Sequence, residues 1–230
     1  MSQPAPHEQV ASTFDRWAEN GRDSGMETEH ADVVLQVVAL MDVRPGQRIL
    51  DLGCGNGWGT RLLAQAAPGA TAVGIDVSPA MVARAEAAHT NTIRARYEVG
   101  RFETLEFRDK SFDRAFSVEA LYYAVDLERA LAEIARVLKA GGRVDFVLDF
   151  YRESPATEQW VELVGLPMHF LSIDEWIARL ERAGFGTVRA ERIVDRRGPG
   201  RGSSDPSDDP HLSEAMHRSG SLWLSALKSS

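Results

Sequence analysis

The chain reads as an α/β protein, a mostly parallel sheet with helices on both faces and an N-terminal helical extension. Two observations predict this. Short apolar strands alternate with amphipathic helical stretches from Arg48 to Asp149, and the first strand runs straight into a glycine-rich turn that opens a helix. Alternation of that kind calls for parallel strands joined by crossover helices.

Ahead of the sheet, Met26, His30, Val33, Val34, Val37, Val38 and Met41 recur at spacings of three and four, which lays a stripe along one helix. Arg44-Pro45-Gly46-Gln47 breaks the pattern, and Arg48–Leu52 follows as a short buried strand. A helix is expected over Trp58–Ala67, a strand over Ala70–Asp76, a helix over Pro79–His89, and strands over Ala95–Val99 and Ser111–Val118. Helix Leu127–Leu138 and strand Gly142–Asp149 complete the alternation, and Thr187–Val194 and Ser221–Leu227 read as two further strands. Local chemistry supports the boundaries. Ser78-Pro79 gives an N-cap hydroxyl followed by proline at the first helical position. Ser172-Ile173-Asp174-Glu175 has capping-box spacing, and Gly141 and Gly184 follow apolar helical stripes where left-handed C-caps belong. Arg196–Pro210, rich in Gly, Pro, Ser and Asp, is expected to be a mobile loop.

At 230 residues, with 43% hydrophobic and 26% charged residues, the composition is that of an ordinary globular protein rather than a disordered chain or a disulfide scaffold. A formal charge of -8 argues against a broad basic surface for nucleic acid. The single cysteine, Cys54, forms no internal disulfide, and no apolar run approaches the roughly 18 residues of a membrane span. Met1 to Val10 lacks the basic and apolar blocks of a secretory signal, so a cytoplasmic protein without a membrane partner is expected. Its oligomeric state is left open.

The most informative stretch is Asp51-Leu52-Gly53-Cys54-Gly55-Asn56-Gly57-Trp58-Gly59, between a strand and a helix. Glycines there let a ligand approach the backbone N–H groups at the helix start. A dinucleotide would require G-x-G-x-x-G. Counting from Gly53, Gly55 or Gly57, the sixth residue is Trp58, Thr60 or Leu62, which disfavours a nicotinamide cofactor. Asp76 closes the second strand, where a carboxylate can accept hydrogen bonds from both hydroxyls of a ribose. The competing role, capping the next helix, is already filled by Ser78.

Ile49 to Gly57 resembles the first motif of the class I S-adenosylmethionine-dependent methyltransferases, a Rossmann-like superfamily whose first strand ends in an acid and a G-x-G-x-G turn. The resemblance continues through Ser111-Phe112-Asp113 and Ala135-Arg136-Val137-Leu138-Lys139-Ala140-Gly141-Gly142, and covers Arg44 to Phe150. It implies S-adenosylmethionine as cofactor. Gly53, Cys54, Gly55 and Gly57 would lie against its methionine part, Asp51 toward the amino end, and Asp76 with Val77 at the ribose. Val118 would complete the cofactor set at the end of the fourth strand. Arg101 stands where the family usually has an acid for the adenine amino group, which leaves Phe102 to contact the base through its backbone or ring. Cys54 is read as a small loop filler, since no basic group nearby would depress its pKa.

Asp51, Asp76, Glu119 and Asp149 all fall at or just past strand ends, the rim where ligands of open parallel sheets bind. Acids there are costly to desolvate without partners, and a cationic, hydroxyl-bearing ligand supplies them. Methyl transfer needs chiefly in-line placement of a lone pair within about 3 to 3.5 Å and the exclusion of water. Glu119 and Tyr122 are the first candidates to meet the acceptor, with Tyr123 beside them, and His169 is a further candidate base. The tyrosines equally suit packing between loop and helix. His30 shares its stripe with valines and reads more readily as a core histidine than as a base. No histidine shows a short metal-ligand spacing, so no metal is expected.

The expected layout is one domain over 1–230: a helical cap over 1–45, a cofactor-binding core over 46–150, a lid-like insertion over 151–171 carrying Trp160 and His169, and a C-terminal helix and strands over 172–230. The preferred function is methylation of a small molecule by in-line transfer. The alternatives are an RNA or protein methyltransferase reaching out with Arg196, Arg197 and Arg201, or a protein that binds the cofactor without turnover.

Overall fold

The computed structural model describes residues 5–200 and 210–229. Two helices, α1 (Pro6–Glu19) and α2 (Arg22–Leu40), precede the sheet. The alternating core then runs β1 (Arg48–Leu52), α3 (Trp58–Gln65), β2 (Thr71–Asp76), α4 (Pro79–Ala87), β3 (Ala95–Val99), β4 (Phe112–Val118), α5 (Leu127–Val137) and β5 (Leu138–Leu148). It ends with α6 (Trp160–Val164), α7 (Ile173–Arg182), β6 (Phe185–Ile193), α8 (Pro210–Ser219) and β7 (Ser221–Lys228).

The seven strands lie in the order β3-β2-β1-β4-β5-β7-β6. The first five are parallel, and β7 runs antiparallel to both β5 and β6. Alternate residues of each strand face opposite sides, so Leu50, Val73 and Phe146 join the apolar cluster with α5 and α7, while Ile49, Ala72 and Val147 join the one with α2 and α3. Burial on both faces is why these strands read as continuous apolar runs rather than alternating ones. The order reverses between β1 and β4, which opens a crevice at their carboxyl ends.

The mostly parallel sheet with helices on both faces matches the expectation, and four details differ. First, α2 starts at Arg22, four residues ahead of the apolar stripe. Second, Gly141 is not a helix cap: α5 ends at Val137, Leu138 is already extended, and Gly141, with φ 69°, sits inside β5 near the shift in register against β4. Gly184 does follow α7 with φ 90°, as a left-handed cap residue. Third, α8 (Pro210–Ser219) is an additional helix between β6 and β7. Fourth, Arg196 and Arg197 do not reach outward. Arg196 pairs with Asp32 at 2.7 Å, and Arg197 donates to the carbonyls of Thr28 and Glu29 at 2.7 and 2.8 Å, because α2 presents an acid and carbonyl oxygens with a second lone pair to them. Arg201 lies outside the described residues.

The segment after β5 is held firmly to the body. Tyr151 donates to the carbonyls of Ser219 and Gly220, each at 2.9 Å, and Trp160 stacks on Phe150 with their planes 12° apart. No helix among the described residues is long and apolar enough to cross a membrane.

Candidate active site

The turn after β1 is closed by backbone. The N–H groups of Gly53 and Cys54 both donate to the Ile75 carbonyl at 2.9 Å, which seats the turn on the end of β2. Gly53 has φ 72°, and a Cβ there would meet the Ala120 Cβ at 2.2 Å; at Gly57, φ 78°, it would meet the Tyr97 ring at 2.5 Å. Only glycine fits either position. The Gly55 N–H donates to Asp76 Oδ2 and the Ser78 N–H to Asp76 Oδ1, both at 2.9 Å, so Asp76 braces the turn and the start of α4 together. Ser78 Oγ meanwhile caps α4 through the Met81 N–H. On β1 itself, Asp51 accepts the Thr60 hydroxyl at 2.6 Å.

Burial pushes the Asp51 carboxyl up to about 7, opposed by the Thr60 hydrogen bond and reinforced by the charge of Asp76. Burial also raises Asp76, to about 6, against the pull of the Ser78 and Gly55 N–H groups. Two neighbouring buried carboxyls whose ionisation is resisted mark a candidate functional site. Burial raises the Cys54 thiol well above its ordinary range, with Asp76 and Asp51 adding to it, which fits a filler rather than a nucleophile.

The opposite wall comes from distant parts of the chain. At the end of β4, Glu119 adopts φ 52°, an uncommon backbone for a residue with a side chain. Its Oε1 accepts the Asp149 N–H at 2.5 Å and its Oε2 the Tyr122 hydroxyl at 2.7 Å. Burial, then the nearby Asp149 charge, raises Glu119 well above the usual carboxylate range. From α2, buried His30 brings Nδ1 to 3.7 Å from Asp149 Oδ2, while its Nε2 is buried with no hydrogen-bond partner. Ligand atoms of His30, Glu119 and Asp149 lie within 4.8 Å of one another, the one grouping among the described residues that a metal ion could bridge.

Between the walls is a cavity with about 1010 Å³ of empty space, part of it open to solvent. The N-terminal helices cover it and are pinned down by side chains. Asp15 accepts the Ser78 hydroxyl and the Ala80 N–H, Arg84 pairs with buried Asp23 at 2.8 Å, and His7 meets Glu103 at 3.1 Å. Asn56 in the turn donates to Asp23 at 3.3 Å, which ties the cap to the glycine loop.

The family described as "Methyltransferase domain" matches residues 50–146. Over 190 residues the chain is 31% identical to an O-methyltransferase, resE, of Aspergillus sclerotiorum, covering 80% of this chain and 71% of that protein. The chain belongs to the class I S-adenosylmethionine-dependent methyltransferases. A malonyl-[acyl-carrier protein] O-methyltransferase of Erwinia billingiae is 37% identical over 134 residues, which span 57% of this methyltransferase and 51% of that longer relative. Among solved structures, a chain of the Haloferax volcanii complex between the Trm112 methyltransferase activator and a methyltransferase superposes with TM-score 0.86 and 32% identity, covering 94% of this chain and 98% of that one. The methyl donor of this methyltransferase is S-adenosylmethionine.

Of the residues expected at the cofactor, Asp51, Gly53, Cys54, Gly55 and Asp76 line the cavity of this methyltransferase from the turn side. Val77, Arg101, Phe102 and Val118 line it as well, with the Phe102 ring packed near Gly53. Gly57 is not in the lining; it opens α3 from a left-handed N-cap. Of the three candidate catalytic residues, only Glu119 reaches the cavity. Tyr122 stands behind it as a hydrogen-bond donor and lines an adjoining side chamber, and His169 lies outside the lining, its Nε2 at 2.8 Å from the Ala124 carbonyl and its N–H donating to the Tyr122 carbonyl. Asp23, Asn56 and the His30–Asp149 contact were not read as parts of the site. The signal for the last was present, an acid ending β5 and a histidine interrupting a valine stripe, but nothing in the sequence joins the two.

Proposed function

We propose that this methyltransferase methylates an oxygen of a small molecule by in-line transfer, with His30 taking the acceptor's proton. The observation that carries this reading is the two-walled cavity: one wall is the glycine turn with Asp51 and Asp76, and the other presents His30, Glu119 and Tyr123. S-adenosylmethionine bound there would supply an electrophilic methyl group, its sulfur keeping the bonding pair as the leaving group. Asp51 and the turn would hold its methionine end, and Asp76 would accept from the ribose hydroxyls. Val77, Phe102 and Val118 would pack against the nucleoside, while Arg101 would leave the adenine to backbone and ring contacts. His30 Nε2, buried and unpartnered, accepts the proton of the acceptor hydroxyl. Glu119, locked by Tyr122 and the Asp149 N–H, positions that end of the site. His169 supports the loop beneath Tyr122. The cap helices and the 151–171 segment exclude water during transfer. Both relatives named above are O-methyltransferases, which supports an oxygen acceptor.

The test is labelled methyl transfer from S-adenosylmethionine into a metabolite extract, with the product identified by mass spectrometry. One labelled small molecule is expected, equally in buffer with a chelator; label appearing only in RNA or protein overturns the reading. Asp76→Ala should weaken S-adenosylhomocysteine binding about tenfold or more while the fold persists. The Haloferax volcanii complex supports, in addition, a Trm112-type activator as a protein partner for this chain. Co-purification of the two proteins checks that.

A further inference from the structure

Beside the main cavity lies a side chamber with about 430 Å³ of empty space, part of it open to solvent, which shares Phe14, Met26, His30, Glu119 and Tyr123 with it and is completed by Trp17, Arg22, Tyr122, Trp160 and Val164. Small-molecule pockets are lined mostly by apolar and aromatic side chains, with a few polar groups that fix orientation. This chamber has that make-up. Phe14 meets Trp17 and Tyr123 edge-on, each with ring centroids 5.0 Å apart, so the wall offers aromatic faces and edges on several sides.

Two polar groups in the chamber lack the partner their chemistry requires. His30 Nε2 and Trp160 Nε1 are buried and accept or donate no hydrogen bond. A buried polar atom left unpaired costs about 1 to 3 kcal/mol, and two of them lining one chamber point to oxygen atoms of a ligand. A cation, Arg22, stands exposed at the outer end. Its guanidinium lies over the Trp17 ring at 4.0 Å, and its charge acts on the Glu29 carboxyl. The polar groups are therefore graded along the chamber. A proton acceptor sits at the buried end shared with the cofactor cavity, an N–H donor lies in the aromatic wall, and a cation stands at the mouth.

We propose that this side chamber is the acceptor site and that it takes a hydroxylated aromatic acid, its hydroxyl at His30, its ring against Trp17, Tyr123 and Trp160, and its carboxylate at Arg22. The inference rests on the methyl-transfer reading and adds the chemical class of the acceptor to it. The hydroxyl proton passes to His30 Nε2 as the oxygen takes the methyl group, and Trp160 donates to an oxygen on the ring or its side chain.

The experiment is calorimetry on the full chain saturated with S-adenosylhomocysteine, using 4-hydroxycinnamate, cinnamate and methyl 4-hydroxycinnamate as probes. The hydroxy acid should bind most tightly. Cinnamate, without the hydroxyl, should lose about tenfold, and the ester, without the charge, roughly twofold to fivefold. Arg22→Gln should make acid and ester bind alike, and Trp160→Phe should weaken the hydroxy acid roughly twofold to tenfold, both leaving S-adenosylhomocysteine affinity unchanged. Equal affinity for the three probes, or no binding of any while S-adenosylhomocysteine binds normally, overturns the acceptor assignment and leaves the methyltransferase reading standing. Failure to bind S-adenosylhomocysteine overturns the broader reading instead.

Discussion

Across the cavity, the wall built from residues 51–78 is held by backbone, whereas the wall facing it is held by side chains from four separate elements. In the first, Gly53, Cys54, Gly55 and Ser78 spend their N–H groups on Ile75 and Asp76, and every partner lies within one β-α-β unit. In the second, His30 comes from α2, Glu119 from the end of β4, Tyr122 from the turn after it, and Asp149 from the end of β5. A wall of backbone fixes one ligand and tolerates no side chain. A wall of side chains can be exchanged piece by piece without unfolding the sheet, which is how one cofactor site serves many acceptors.

The sharpest way to break this contrast is Gly53→Ala. The added Cβ would lie 2.2 Å from that of Ala120 at a φ of 72°, so strain and overpacking combine. A loss of about 3 kcal/mol or more in stability and the disappearance of cofactor binding are expected. Denaturant melts and calorimetry read both. A stable Gly53→Ala protein with intact affinity would show that the turn is not the rigid wall described.

On the other wall, His30→Ala should fold and bind S-adenosylhomocysteine within about twofold of the parent, yet lower kcat on a hydroxyl acceptor by about 10² or more. Single-turnover kinetics separate the two. If affinity and rate fell together, His30 would belong to the cofactor wall and the division would be wrong.

The same division explains what was legible in the sequence. The glycine turn, Asp51 and Asp76 were readable because their partners are near in sequence and their chemistry is local: a strand end, glycines with positive φ, a capped helix. The strand and helix order was readable for the same reason, through apolar period and caps. Gly141 misled because a glycine after an apolar stripe looks alike whether the helix ends there or has already given way to a strand with an irregular register. The His30–Glu119–Asp149 grouping was illegible for a different reason. Its members are brought together by topology, and a histidine in a valine stripe has the same pattern whether its ring is satisfied or left with a bare nitrogen. Arg196 and Arg197 looked free only because Asp32 and the carbonyls of Thr28 and Glu29 are distant in sequence.

Acidity sharpens the comparison in a graded way. Asp51 and Asp76 have folded values of about 7 and about 6 against an ordinary 3.8, so the folded protein holds their protons more tightly than the unfolded chain does. Their contribution to stability is therefore fully present below about pH 4 and is lost as pH rises through 6 and 7. Cofactor binding runs the opposite way, since a cation favours the ionised acids. Affinity for S-adenosylmethionine should climb between pH 5.5 and 7.5, by at most about tenfold per pH unit for each carboxyl that must ionise, and level off above. The thermal shift caused by the cofactor should grow over the same interval while the melting temperature of the free protein does not. Asp51→Asn should flatten the upper part of the climb, and an unchanged profile would mean that Asp51 does not face the cation.

The smallest effect is expected at His169. Its ring nitrogen meets the Ala124 carbonyl at 2.8 Å and its N–H holds the Tyr122 carbonyl at 2.9 Å, so it fastens the turn that carries Tyr122 and Tyr123 without reaching the cavity. The backbone contact survives substitution; only the ring contact is lost. His169→Ala should therefore cost about 1 kcal/mol of stability, and kcat should change less than about threefold, far less than for a general base. His169→Gln, which keeps a donor near the Ala124 carbonyl, should recover most of the stability. A hundredfold fall in kcat that glutamine fails to rescue, with the acidic limb of the pH–rate profile removed, would move His169 into the chemistry and extend the side-chain wall beyond His30. Recovery of both stability and rate by glutamine would leave it as a strut for the two tyrosines, acting only through their position.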